Sequence, residues 1–431
     1  MSASPPPTDP GGLLDLATAH FTERCGTRPA YRWFVPGRIE VFGKHTDYAG
    51  GESLLAAVPR GFAVVAAPRS DHALRVMDGR HHDEIIIPIG GTDPYRGWAN
   101  YAAVTVRRLA ANFEGAPLGA DIAIASNLPR AAGVSSSSAL VVGLGLALIR
   151  RAELERRDDW RAAIGSLSDL AWYLGCLENG LTYRQLAGTA GVGTQGGSQD
   201  HTAILACLEG VISRYGFMPV QHLGDVRLPE EWTFVILSSG VHADKAGSVR
   251  ERYNRASAGV QALLRIWQSG TGRADVSLTT ALRSAEDAEA RLRVLLTSTP
   301  VEGFTVADLE RRLDMLTGEL RRIPVAQQAI AAGDADLLGR VTDESQHDAE
   351  RLLGNQIPET VALARIARAQ GAIAASAFGA GFGGSVWALA PTSEAEAFAE
   401  RWHAAYVEAC RPSGHVEWFC CRPSAGARQV D

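Results

Sequence analysis

Arg38, Lys44, His45 and Asp47 crowd into the segment Pro36-Gly37-Arg38-Ile39-Glu40-Val41-Phe42-Gly43-Lys44-His45-Thr46-Asp47-Tyr48-Ala49-Gly50-Gly51. Charged and hydrogen-bonding groups set between glycines, directly after a strand-like run at Tyr31–Val35, suit a small polyhydroxylated ligand. The same residues would also serve as a tight polar turn. A second cluster is Asn127-Leu128-Pro129-Arg130-Ala131-Ala132-Gly133-Val134-Ser135-Ser136-Ser137-Ser138-Ala139-Leu140. It joins a strand-like run (Ala120–Ala125) to an Ala/Leu/Val helical pattern (Ala139–Ile149). Strand, small-residue loop and helix start make an anion site. Unpaired N–H groups and the positive dipole end face phosphate, and hydroxyls add donors or a metal ligand. A helix cap needs one serine, not four in a row. No Gly-Lys-Ser/Thr follows, so the loop is not of the Walker type. The third cluster, Ser376-Ala377-Phe378-Gly379-Ala380-Gly381-Phe382-Gly383-Gly384-Ser385, has glycines enough for close backbone approach to a nucleotide or substrate loop.

Taken in order, these segments resemble the galactokinase family of the GHMP kinases. That family's first motif reads PGR-x-N-x-x-GEHxDYN-GG, and Lys44 stands where it has Glu. The resemblance implies an α+β, two-domain GHMP kinase fold, with a ribosomal protein S5 domain 2-like N-terminal domain and a helix-rich C-terminal domain. It implies an ATP-dependent sugar-1-kinase using Mg²⁺. Gly133, Ser135, Ser136, Ser137 and Ser138 would cradle phosphate, with Gly381 of the third motif bracing the nucleotide. Trp98, in Trp98-Ala99-Asn100-Tyr101, resembles the family's W-x-N-Y helix beside adenine, although core packing accounts for it equally well. Ser137 and Glu178 (in Cys176-Leu177-Glu178-Asn179) match the metal ligands. Asp200, in Gly196-Gly197-Ser198-Gln199-Asp200-His201, matches the residue on the acceptor hydroxyl, and would either abstract its proton or orient it. Two departures weaken the match here: a ten-residue insertion before this motif, and His201 in place of Gln. Arg38 is expected to face Asp200 and the γ-phosphate, where it would keep the carboxylate ionised and stabilise transferring charge. His45, Asp47 and Tyr253 (in Arg252-Tyr253-Asn254-Arg255) match sugar-binding positions. Because a cation suits a carboxylate better than a hydroxyl, Lys44 points to a uronic acid such as galacturonate or glucuronate as the acceptor. D-galactose itself, a non-catalytic sugar/ATP sensor and another GHMP branch such as a mevalonate-type kinase are the alternatives.

Composition narrows the class. With 431 residues, 46% hydrophobic and 21% charged, the chain is a globular protein too long for one core. A net charge of −6 gives no basic field for nucleic acid. Six cysteines lack metal-ligand spacing, and adjacent Cys420 and Cys421 read as reduced, strand-embedded thiols and not a bridge. No apolar run approaches about 18 residues and the start MSASPPPTDPGG does not resemble a signal peptide, so a cytoplasmic protein is expected, with no membrane partner. Lys plus Arg total 42, yet the lysines are only Lys44 and Lys245. Since Lys is a compact point charge and Arg a planar fork, both positions are candidates for chemistry.

The expected organisation is a tail and helix over 1–27, an N-terminal domain over 28–224 and a C-terminal domain over 225–431. Strand patterns dominate the first half, including a strand pair over Thr202–Tyr215. Helical patterns dominate the second, including Val249–Ser269, Leu278–Leu296 and Ala307–Arg322.

Overall fold

The computed structural model describes residues 6–79, 83–129, 133–241 and 247–431. Helix α1 (Pro10–Cys25) leads into strands β1 (Tyr31–Phe42), β2 (Glu52–Pro68), β3 (Ala73–Asp78) and β4 (Asp83–Pro88). Helix α2 (Trp98–Asn112) and strand β5 (Ala120–Ser126) precede helices α3 (Ser136–Arg151), α4 (Asp158–Ala163), α5 (Leu167–Asn179) and α6 (Gln199–Ala206). Strands β6 (Val211–Gly216), β7 (Gln221–Arg227) and β8 (Trp232–Ser238) open the second half. It continues through α7 (Gly247–Thr271), α8 (Leu278–Leu282), α9 (Ala288–Ser298), α10 (Val306–Ala332), α11 (Ala335–Asp348) and α12 (Pro358–Ala369). Strands β9 (Ala374–Ala377) and β10 (Ser385–Pro391), helix α13 (Ala395–Cys410), and strands β11 (Trp418–Cys421) and β12 (Arg428–Gln429) close the chain.

The first sheet runs β12-β1-β2-β5-β3-β4, with β6 added to β2 and β7 to β6. Its β3–β5 pair is parallel. The second sheet runs β11-β8-β10-β9 and is antiparallel throughout. This is the expected α+β class, strand-rich first and helix-rich second, with the last strand returning to the first sheet. The division expected at residue 224 falls inside β7, which pairs with β6.

Three local expectations are corrected. The first motif does not turn at Pro36. Strand β1 carries on to Phe42, with register shifts between Pro36 and Arg38 and between Glu40 and Phe42. The bulges absorb the Pro-Gly without ending the strand. Residues 199–206 form a helix rather than half a strand pair. Thr202 returns its hydroxyl to the Ser198 carbonyl at 2.8 Å, and Ala203, Ile204 and Leu205 are buried. Tertiary packing overrides the β-branched preference of Thr202 and Ile204. The expected Leu278–Leu296 helix is broken into α8, capped by the Ser277 side chain, and α9, which starts afresh after Asp287.

Trp387 on β10 ties the two sheets together. Its indole is fully buried, meets Phe234 edge-on at 5.7 Å, and donates to the Glu40 carbonyl of β1 at 3.2 Å. One side chain thus holds the strand of the first motif against the sheet that carries the third. Truncation would leave a cavity and an unpaired carbonyl. Trp387→Ala is expected to lower unfolding stability by about 3–5 kcal/mol in denaturant titration, and a loss below about 1 kcal/mol would contradict this role.

Candidate active site

The site is built around one ion pair. Arg38 projects from β1, and Asp200 sits in the first turn of α6, where the helix dipole favours a carboxylate. Arg38 Nε donates to Asp200 Oδ1 at 2.8 Å, the guanidinium being 3% exposed and the carboxylate 20%. Arg38 Nη1 donates to the Gly133 carbonyl at 2.5 Å, and the Ser135 hydroxyl donates to the second Asp200 oxygen. The serine loop, β1 and α6 are therefore cross-linked at one point. The third motif closes over it. A Cβ at Gly379 would lie 2.9 Å from the Gly133 carbonyl and 3.3 Å from Arg38 Nη2, so only glycine fits there.

Two cavities meet at this pair, and Arg38, Asp200 and Ala380 line both. The larger, about 720 Å³, is lined by Trp98, Asn100 and Tyr101 of α2, by Gly133, Ser135, Ser136 and Ser137, and by Gly381. Ser135 adopts a left-handed conformation (φ 59°), and its side chain, committed to Asp200, does not cap α3. The first-turn amides of α3 are left to an anion. An aromatic-walled space ending at such a helix start can take a nucleotide with its phosphates against the serines.

The smaller cavity is narrow and polar, lined by Glu40, His45, Asp47, Glu178, Gln199 and Tyr253 among others. His45, at a strained φ of 58°, has Nδ1 2.7 Å from the Tyr48 hydroxyl and Nε2 3.3 Å from the Ala380 carbonyl. Asp47 accepts from the amides of Tyr48 (2.9 Å) and Gln199 (3.2 Å). The Tyr253 ring lies 5.2 Å from that of His45. Burial pushes the Asp47 carboxyl up to about 6, despite its amide donors. Burial, with Asp47 close by, also lifts the Tyr253 phenol well above its ordinary value. Carboxylates, imidazole and phenol around a small space are donors and acceptors for sugar hydroxyls.

Glu178, at the end of α5, accepts from the Ser138 hydroxyl at 2.9 Å, and His201 Nε2 lies 2.9 Å from the same carboxylate. Ser138, not the expected Ser137, is thus the hydroxyl beside Glu178. Adjacent helical residues point about 100° apart, and Ser137 turns to the larger cavity. No group of three or more His, Cys, Asp or Glu among the described residues forms a ready metal cage.

Lys44 is a clear departure from expectation. It does not line the polar cavity. Its side chain is fully buried, and Nζ donates to Ser345 of α11 at 2.8 Å. Beside it, fully buried Glu319 of α10 accepts from the amides of Gly43 (2.8 Å) and Lys44 (3.3 Å). Burial lowers the Lys44 ammonium from its usual range, with Glu319 and Glu40 opposing. Burial also opposes charge on Glu319, but Lys44, Ser345, the Gly43 amide and Arg322 outweigh it and hold the carboxyl low. Lys245 lies outside the described residues, as do residues 130–132 of the serine loop.

The sequence reading passed over Glu40. It occupies the position where the quoted pattern carries Asn, which was the available signal. It is 3% exposed and lines the polar cavity. Burial pushes its carboxyl up to about 7, while Arg38 and Lys44 pull it down. Gln199 was passed over as well, although it donates to Glu40 and accepts from Ser53 at 3.0 Å, clamping α6 to β1.

Comparison with known proteins places this geometry. The galactokinase galactose-binding signature matches residues 19–68, the GHMP kinase N-terminal domain 100–171 and the GHMP kinase C-terminal domain 326–408. The chain belongs to the galactokinase family of the GHMP kinases. It is an ATP-dependent sugar kinase. A galactokinase of Roseiflexus sp. (strain RS-1) is 28% identical over 418 residues, covering 95% of this chain and 95% of that protein. One of Chloroflexus aggregans is 27% identical, covering 97% and 98%. The fold is similar to that of Lactococcus lactis galactokinase complexed with galactose, with a TM-score of 0.77 at 20% identity over 97% of this chain and 100% of that one. A mevalonate kinase is also similar, with a TM-score of 0.56 at 12% identity over 92% and 100%. No described helix is long and apolar enough to cross a membrane. All six cysteines are free thiols, with Cys420 and Cys421 in β11.

Two buried carboxyls set a pH dependence. Asp47 and Glu40 hold their protons to about 6 and about 7 in the fold, against roughly 3.9 and 4.3 in unfolded chains. The native state therefore binds more protons between about pH 4 and 7, and stability from these groups falls as pH rises through that window. Urea midpoints are expected to fall from pH 5 to pH 8 in the ligand-free protein, and to fall less in Glu40→Gln. A midpoint that climbs over this range would count against buried, proton-holding carboxyls.

Proposed function

We propose that this kinase transfers the γ-phosphoryl group of ATP to the C1 hydroxyl of D-galactose or a closely similar neutral hexose. The carrying observation is the Arg38–Asp200 pair at the junction of the two cavities. ATP would lie in the larger cavity, with Trp98 beside the base, and Gly133, Ser135, Ser136, Ser137 and Ser138 with the α3 amides around the phosphates. Gly381 would brace it from the third motif. The sugar would lie in the polar cavity, with Asp47, His45 and Tyr253 on its hydroxyls and C1 toward Asp200. Asp200 would orient the attacking hydroxyl and receive its proton. Arg38 would neutralise charge on the transferring group and, with Ser135, hold Asp200 in place.

The residues present fit Mg²⁺. Glu178 and the Ser138 hydroxyl are hard oxygen donors beside the serine loop, and Mg²⁺ characteristically takes few protein ligands, with phosphates and water completing its shell. When bound, the ion would neutralise charge on the phosphate oxygens. Ser137, on the nucleotide side, remains available to the phosphates.

The uronate preference expected from Lys44 loses its physical basis, because the ammonium is spent on Ser345 and faces Glu319. Glu40, Asp47 and Asp200 line the acceptor cavity instead, and they would repel a C6 carboxylate. The relatives named above support galactose as the acceptor.

With Mg·ATP, ADP release is expected on adding galactose and far less on adding galacturonate or glucuronate. A non-catalytic sensor would bind both ligands and release none. Asp200→Ala is expected to lower kcat by about 10³-fold, and undiminished turnover in this variant would sink the proposed chemistry. Lys44→Met is expected to cost about 3 kcal/mol of stability by stranding Glu319, while the galactose-to-galacturonate ratio of kcat/KM stays as in the wild type. A shift of that ratio toward galactose would restore Lys44 as a substrate contact.

A further inference from the structure

Strand periodicity puts Arg38 and Glu40 on the same face of β1, roughly 7 Å apart along the strand. Arg38 marks the reacting end of the acceptor cavity. Glu40, two residues further along the strand, lines the same space. One of its oxygens, Oε2, is held by the Gln199 side-chain amide. The other, Oε1, is buried and has no hydrogen-bond partner among the described residues. Gln199 is fixed in turn by Ser53 and by its own amide on Asp47, so the carboxyl is pre-oriented and not a loose side chain. An orphan acceptor costs free energy when buried. A fixed, unpaired acceptor on a residue that lines a ligand cavity is what a donor on the ligand would complete.

We infer that Glu40 is a specificity-determining residue, its Oε1 accepting a hydrogen bond from an acceptor-sugar hydroxyl remote from C1. This rests on the sugar-kinase reading above and sharpens it: the site selects a neutral hexose bearing that hydroxyl, over its deoxy analogue and over a uronate. The charged groups facing Glu40 agree. Burial favours the protonated carboxyl, Arg38 and Lys44 pull it back toward the carboxylate, and Asp200 adds negative charge that an anionic acceptor would meet. A site built to satisfy one hydroxyl rejects the analogue lacking it, because its own polar atom is then stranded.

The test measures kcat/KM by ADP release for galactose and for the 2-, 3-, 4- and 6-deoxygalactoses, in wild type, Glu40→Gln and Glu40→Ala. In the wild type at pH 8, above the value of about 7 to which burial lifts Glu40, one deoxy analogue should be poorer than galactose by about 10- to 100-fold, as for a hydrogen bond to a charged group. In Glu40→Ala, that penalty should shrink to within about 3-fold, and penalties for the other analogues should stay. Galacturonate should gain relative to galactose in both variants. Glu40→Gln, which preserves volume and the reach to Gln199, covers the case in which the alanine variant fails to fold, and should reduce the same penalty. The inference is overturned if the wild type shows no such penalty, or if every deoxy penalty persists in the variants while galactose is still phosphorylated. If no sugar yields ADP in the wild type, the kinase reading fails and this inference falls with it.

Discussion

The rest of the site depends on a buried guanidinium that must be satisfied. Arg38 is nearly inaccessible and cannot shed its charge, so its desolvation must be offset by well-placed acceptors. Two acceptors are found in the fold, the Asp200 carboxylate, 162 residues along the chain, and the Gly133 carbonyl. Meeting that requirement fixes the start of α6 and the serine loop relative to β1. Gly379 then lets the third motif settle against the same group. The two cavities are what remains on either side of the cross-link, and this is why the group that can touch phosphate also touches the residue that can handle the acceptor.

A second buried cation shows the opposite use of charge. Lys44 follows Arg38 by six positions within the first motif, yet its ammonium runs into the helical half and ends on Ser345, with Glu319 beside it. Glu319 in turn takes the two backbone amides at Gly43 and Lys44, so the loop leaving β1 is bound to α10. A slim Lys stem can thread this space where a planar Arg fork would not fit as easily. Of the two lysines in the chain, Lys44 is committed to contacts inside the fold, with Ser345 and beside Glu319. The carboxylates lining the polar cavity are Glu40, Asp47, Glu178 and Asp200.

Local pattern by itself determined the serine-rich anion loop opening a helix and the strand-rich first half before a helix-rich second. The resemblance of the three motifs to the galactokinase family implied the two-domain α+β fold, the pairing of Arg38 with Asp200, and the cluster of His45, Asp47 and Tyr253. The loop and the order of elements were accessible because each depends on local geometry. A helix start, a glycine hinge or a strand-to-loop junction writes its requirements into neighbouring residues. Only the tertiary structure decided which way individual side chains face. It sent Lys44 away from the polar cavity, turned Ser138 and not Ser137 toward Glu178, made a helix of residues 199–206, and left Glu40 lining the polar cavity. The physical reason is that one step along a helix or strand redirects a side chain completely, and the partner that selects the direction (Ser345, Glu178 or Gln199) is supplied by a distant part of the chain.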